Sequence, residues 1–266
     1  MLASQLYATT DVLPVAGLDR LAEHLPNAWI EQALEATGTA SIRRRRLPAE
    51  QVVWLVIALA IYRRQSMPEV LATLDLALSA ASAQAVSKSA VTQARQRLGA
   101  KPLAQLFDQT ARAWCQQDAE YHAWQGLSLW AMDGTTFRTP DSTNNRAHFG
   151  AQAYASGKVA SYPQVRAVSI TAIPTHLVSD IAFGTYAQNE MLYAKTLVGR
   201  IADHSLTVFD RGFLSAEILL GLTLGGQERH YLIPAKSNTK WEVLSGSADD
   251  CLVRMRVSPQ ARAKAP

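Results

Sequence analysis

The 266-residue sequence predicts an α/β protein: a mixed sheet flanked by helices, preceded by an all-α N-terminal domain. Three observations predict it. Up to about residue 125, apolar residues recur at helical spacing between short breaks. From Leu127 the pattern changes to short apolar runs that read as buried strands. These runs fall in the order strand, strand, strand, helix, strand, helix, strand, which a central sheet covered by helices accommodates. The expected domains are 1–125, helical; 126–235, the sheet; and 236–266, the start of a further β-rich region.

In the N-terminal part, Leu18 to Ala36 carries Leu21, Leu25, Trp29, Ile30 and Leu34 at helical spacing, and Gly38 ends the segment. The basic run Arg43, Arg44, Arg45, Arg46 follows; a solvated loop and a phosphate clamp both account for it. Pro48 suits a first helical turn, and Gln51 to Tyr62 reads as a helix apolar on nearly all sides. Met67 to Leu78 is a further short helix, and Ser79 to Val86 a loop. Ser87 can cap a helix from Lys88 to Leu98, with Gly99 as its stop. Lys88, Arg95 and Arg97 on that helix are of the types that contact DNA phosphates and base edges. A solvated helix face explains them equally well. Pro102 opens the last helix of this part, to about Gln117.

The second part turns on two aspartates. Leu127 to Met132 reads as a buried strand that delivers Asp133 at its end, where Gly134 breaks the strand and leaves space beside the carboxylate. Leu206 to Phe209 repeats the design with Asp210 at the tip and Gly212 two residues on. Between them lie a polar, irregular stretch from Arg138 to Pro163 and a hairpin of Val165–Ile173 with His176–Phe183. A helix is expected over Asn189 to Ile201. After Asp210 come a helix from Ser215 to Thr223, capped by Ser215, and a strand from His230 to Ile233. Trp241 to Val257 reads as one or two strands, and Pro259 to Pro266 as a tail without a packing signal. Ligand sites in such sheets lie beyond the carboxyl ends of the strands. Two aspartates there form a hard oxygen pair suited to Mg²⁺ or Mn²⁺ and to phosphodiester chemistry. The alternative is that each Asp simply caps the turn that follows it.

Composition narrows the classes. Hydrophobic residues make up 48% and charged residues 18%, which excludes a disordered chain. A net charge of +4 permits a polyanionic partner without requiring one. Cys115 and Cys251 stand far apart, which argues against a zinc knuckle or disulfide framework and fits a reducing compartment. The longest apolar run, Val52 to Tyr62, is too short for a membrane span, so a cytoplasmic protein without membrane association is expected.

Three stretches, Trp130-Ala-Met-Asp133-Gly-Thr-Thr-Phe137, Asn145-Arg-Ala-His-Phe-Gly150 and Phe209-Asp210-Arg-Gly-Phe213, resemble the IS4-type DDE transposases. Leu47-Pro-Ala-Glu50 and Gln93-Ala-Arg-Gln-Arg-Leu-Gly99 are similar to that family's N-terminal domain. The resemblance implies an RNase H-like catalytic core, with Asp133 and Asp210 as the first two acids of the DDE triad and as metal ligands. It implies Mg²⁺ (or Mn²⁺) and double-stranded DNA as partners, at transposon terminal inverted repeats and target sites, with a homo-oligomer on the DNA. The implied reaction is metal-assisted attack on a phosphodiester, first by water and then by a DNA 3′-hydroxyl. Arg211 beside the second Asp either contacts DNA or makes a structural ion pair. Arg146 and His148 are expected to pack locally.

One departure stands out. The family's third acid is a Glu on a helix that follows an inserted β-rich subdomain, and no such motif follows Asp210 here. Glu217, Glu228 and Glu242 do not fit that position. The expectation is therefore a chain truncated within the insertion, inactive for lack of a third ligand. A DNA-binding or regulatory remnant without catalysis is the alternative.

Overall fold

The computed structural model describes residues 16–40, 47–77, 87–117, 122–153, 157–247 and 249–263. The chain divides into two compact units, with the boundary between Thr110 and Ala111.

The first unit is helical: α1 (Ala16–His24), α2 (Asn27–Ala36), α3 (Ala49–Ile61), α4 (Met67–Ala77), α5 (Lys88–Leu98) and the start of α6 (Lys101–Gln116). Its axis is α3, which buries Val52, Val53, Trp54, Leu55 and Ala58 and packs against α2, α4 and α5. Leu18, Ile30, Leu34, Val70, Val91 and Leu106 complete the core. Each such side chain contributes about 1.5–3 kcal/mol on burial, so α3 is held from several sides at once. The expected single segment Leu18–Ala36 is two helices. Pro26 sits at the N-cap of α2 with φ −58° and ψ 137°; it has no N–H to continue α1 and disfavours a helical conformation at Leu25. The ends of α5 are as expected. Ser87 Oγ accepts from the Ala90 N–H at 3.2 Å, and Gly99 leaves the helix with φ 67°. The run Arg43–Arg46 and the loop expected over Ser79–Val86 lie outside the described residues.

The second unit is built on a five-stranded mixed sheet in the order β3-β2-β1-β4-β5. Its strands are β1 (Ser128–Arg138), β2 (Gln164–Ala172), β3 (Val178–Thr185), β4 (Ser205–Phe209) and β5 (Arg229–Leu232). The neighbours of β1 differ in kind: β2 is antiparallel along Trp130 to Arg138, while β4 is parallel and ends at Met132↔Phe209. Helices α8 (Glu190–Leu197) and α9 (Ala216–Leu224) follow β3 and β4. Tyr193, Ala194 and Leu197 of α8 and Ile218 and Leu222 of α9 share one core with Met132, Ile170 and Phe209. Both helices therefore cover the same face of the sheet. Asp133 points to the other face, in one row with Ser169 and Ile181.

Several expectations are corrected here. The first strand does not stop at Asp133; its ladder with β2 carries it to Arg138. The stretch from Arg138 to Pro163 contains α7 (Thr143–Phe149), capped by Ser142 Oγ accepting from the Asn145 N–H, with Gly150 at φ 72° after it. Ser215 occupies the N-cap of α9 but its side chain makes no capping bond. The segment after Pro234 forms a separate antiparallel hairpin, β6 (Trp241–Gly246) with β7 (Cys251–Met255). The short α10 (Pro259–Arg262) follows, where a featureless tail was expected.

Candidate active site

Asp133 and Asp210 each lie one residue beyond the last parallel pair, Met132↔Phe209. Adjacent strands in a sheet run about 4.8 Å apart, so the two carboxylates spring from neighbouring chains at the same level, Asp133 from within β1 and Asp210 from the end of β4. The local chain fixes each one. Asp133 Oδ1 accepts from the Gly134 N–H at 2.7 Å. Asp210 has extended backbone, and its Oδ1 accepts from the Gly212 N–H at 2.6 Å, capping the 3₁₀ turn Arg211–Phe213. Asp210 thus does cap the turn that follows it, whereas Asp133 lies within β1 and ties itself to the next residue of the strand; each still presents a second oxygen. Both residues are exposed, and among the described residues neither makes an ion pair.

A third acid stands beside them. Glu190 opens α8, whose start is fixed by Asn189 Oδ1 accepting from the Met191 N–H at 3.0 Å. Its carboxylate lies over Gly134: a Cβ built there would overlap Glu190 Oε1. The space that Gly134 leaves is therefore filled from the helix side rather than by Asp133. Burial pushes the Glu190 carboxyl above its ordinary value, against the pull of Arg166, with the charges of Asp133 and Asp210 adding to the rise. Reading along the sequence passed over this residue, although an Asn-Glu pair opening the helix after a hairpin was a usable signal.

The residues present suit a hard divalent cation such as Mg²⁺ or Mn²⁺. The donors are carboxylate oxygens, from two exposed aspartates on adjacent strands with one oxygen each left open, the ligand chemistry such ions prefer. Among the described residues, no three His, Cys, Asp or Glu side chains are grouped around one point as a ready-made metal site.

The sequence matches the model of the insertion element 4 transposase N-terminal domain over residues 15–108. It matches that of the transposase DDE domain over residues 124–265. This chain belongs to the IS4-type DDE transposases. Its mixed sheet with flanking helices is the RNase H-like core of that family, and Asp133 and Asp210 both lie inside the DDE match. The chain is 37% identical over 250 residues to the transposase InsG for insertion sequence element IS4 of Escherichia coli strain K12, spanning 94% of this chain and 56% of that one. It is 35% identical over 237 residues to a second protein of the same strain, InsZ, spanning 88% of this chain and 77% of that one. The chain thus spans little more than half the length of InsG.

The other glutamates considered for this family's third acid are engaged elsewhere. Glu217 Oε2 pairs with Lys195 Nζ at 2.6 Å, Glu228 with His204 Nδ1 at 2.7 Å, and Glu242 faces Arg254 at 3.9 Å. Arg146 binds Asp141 and the Ser161 carbonyl, which is the local packing expected of it. Of the basic residues, Lys88, Arg95 and Arg97 are exposed on α5 while Val91, Ala94 and Leu98 face the core. Arg211 is exposed in the turn after Asp210.

Proposed function

We propose that this chain supplies the first two acids and part of the DNA-binding surface of a transposase that cuts and joins DNA at transposon ends. The single observation that carries the reading is the pair Asp133 and Asp210, each one residue beyond the end of the parallel pairing of β1 with β4, each tied to a following backbone N–H and each with a free oxygen. A divalent cation held by these carboxylates supplies activation of the attacking oxygen and charge relief on the phosphodiester. The chain's own residues do the positioning. Gly134 and Gly212 N–H groups hold the Asp side chains, and the exposed Arg211 is a candidate for contact with a DNA phosphate. Lys88, Arg95 and Arg97 offer a second basic surface, with Arg43–Arg46 as a further candidate. The setting is cytoplasmic, on double-stranded DNA, with the chain acting as a homo-oligomer.

The chain alone is proposed to be catalytically silent: Glu190 stands near the two aspartates, but among the described residues no three such side chains are grouped as a metal site. Purified protein should give no Mg²⁺- or Mn²⁺-dependent cleavage of transposon-end duplexes above background. Robust cleavage that disappears in Asp133→Asn would overturn this. The exposed cations of α5 favour a second reading, a DNA-binding or regulatory protein without catalysis. That reading requires salt-sensitive binding to duplex DNA, and a gel shift with no affinity at low salt would remove it.

A further inference from the structure

The β6–β7 hairpin and the start of α9 enclose an open cleft of about 520 Å³. Thr239, Lys240, Arg256 and Gln260 line one side, and Ser215 and Glu217 the other. The hairpin register explains the charge at its mouth. Trp241 pairs with Met255, so Lys240 and Arg256 are the next opposed positions at the open end of the hairpin. Like charges placed opposite each other on a β-ribbon repel, and among the described residues neither cation has a carboxylate partner. The one acid in the cleft, Glu217, is already neutralised by Lys195 at 2.6 Å. Lys240 is also held in place. The turn before it is closed by the Thr239 N–H donating to the Lys236 carbonyl at 2.9 Å, and by the Lys236 N–H donating to Thr239 Oγ1 at 3.1 Å. The opposite wall is the N-terminal end of α9, the positive end of its dipole, which the Ser215 side chain leaves uncapped. Two facing cations, a helix N-terminus and an offset acid make a cleft whose missing component is an anion.

We propose that this cleft is a backbone-phosphate site for duplex DNA, with Lys240 and Arg256 clamping phosphates on the strand that runs past Asp210. Asp210 and the cleft wall at Ser215 are joined by the turn Arg211–Phe213 and Leu214 alone, so the cleft lies a few residues from the second aspartate. The inference rests on the transposase reading and extends it to a surface of the β-hairpin.

The test is fluorescence anisotropy of the full chain with a labelled duplex of mixed sequence, across a series of salt concentrations. Each phosphate contact contributes about 0.9 to the slope of log K against log salt. The double variant Lys240→Gln/Arg256→Gln should therefore flatten that slope by about 1.8, with unchanged circular dichroism. Each single variant should flatten it by about 0.9, which keeps the test sound if the double variant misfolds. A slope unchanged in folded variants, while the parent chain binds, overturns the cleft assignment alone. No binding by the parent chain at low salt overturns the DNA reading and the cleft with it. Competition by inorganic phosphate at concentrations matched for ionic strength, without any preference for duplex, would make the cleft a free-anion site and overturn the proposal.

Discussion

Glu190 and Gly134 fit each other by shape: the carboxylate fills the volume that a side chain at position 134 would occupy. That seat is electrostatically costly. Burial and the nearby Asp133 and Asp210 charges raise the Glu190 pKa above its ordinary value despite Arg166. A carboxyl whose folded pKa is raised binds its proton more tightly in the native state than in the unfolded one. Its stabilising contribution is full below the unfolded pKa and is lost as pH rises through the folded one. Glu190→Gln is thus expected to raise the metal-free melting temperature at neutral pH, with the gain vanishing below the ordinary Glu range. Melting curves of both proteins from acid to neutral pH check this, and a constant offset at every pH would refute the electrostatic cause. Only the parts were legible in the sequence, not their meeting. The Gly after Asp133 was visibly a spacer, but what it makes room for comes from a helix more than fifty residues later.

Element boundaries show the same division between local and distant causes. The ends of α5 are written in Ser87 and Gly99, because a cap and a left-handed residue act within one turn of the chain. Ser215 looks like the same signal, yet its side chain makes no capping bond in front of α9. The two serines should therefore respond differently. Ser87→Ala is expected to cost about 1 kcal/mol, whereas Ser215→Ala should stay within about 0.5 kcal/mol of the parent. Urea denaturation of both variants tests the contrast, and equal losses would contradict it. The end of β1 is a distant matter. Gly134 suggests a break, but the ladder from Gly134↔Val168 to Arg138↔Gln164 keeps the strand extended. What does end after Met132 is the parallel pairing with β4, and that is what exposes Asp133.

Across the whole sheet unit, the two faces are unequal. Helices α8 and α9 cover one, while the face that carries Asp133 also carries Phe183, Leu232 and Phe137, exposed at 65%, 60% and 54%. Apolar surface of this kind on a sheet favours association, most of all along an edge strand. The edges are β3, which carries Phe183, and β5, which carries Leu232. Phe183→Lys is expected to suppress aggregation on heating while leaving the melting temperature nearly unchanged, because an exposed side chain contributes little to folding. Light scattering recorded during a thermal ramp checks this; unchanged scattering would place the sticky surface elsewhere. The exposure of Trp241, Leu244 and Leu252 on the β6–β7 hairpin belongs to the same pattern.

The sequence by itself determined the class of the fold, the helical first unit, the sheet of the second, and the two aspartates that follow apolar strand residues. Periodicity, caps and apolar runs are properties of neighbouring residues, and the motifs around Asp133 and Asp210 are short. Tertiary structure decided the rest. Parallel pairing of β1 with β4 makes two separate aspartates one site. Packing of α8 on the sheet brings Glu190 over Gly134, and pairing of β6 with β7 sets Lys240 opposite Arg256. Each of these depends on a register or a helix placement fixed by residues far away in the chain, where no local pattern carries the information.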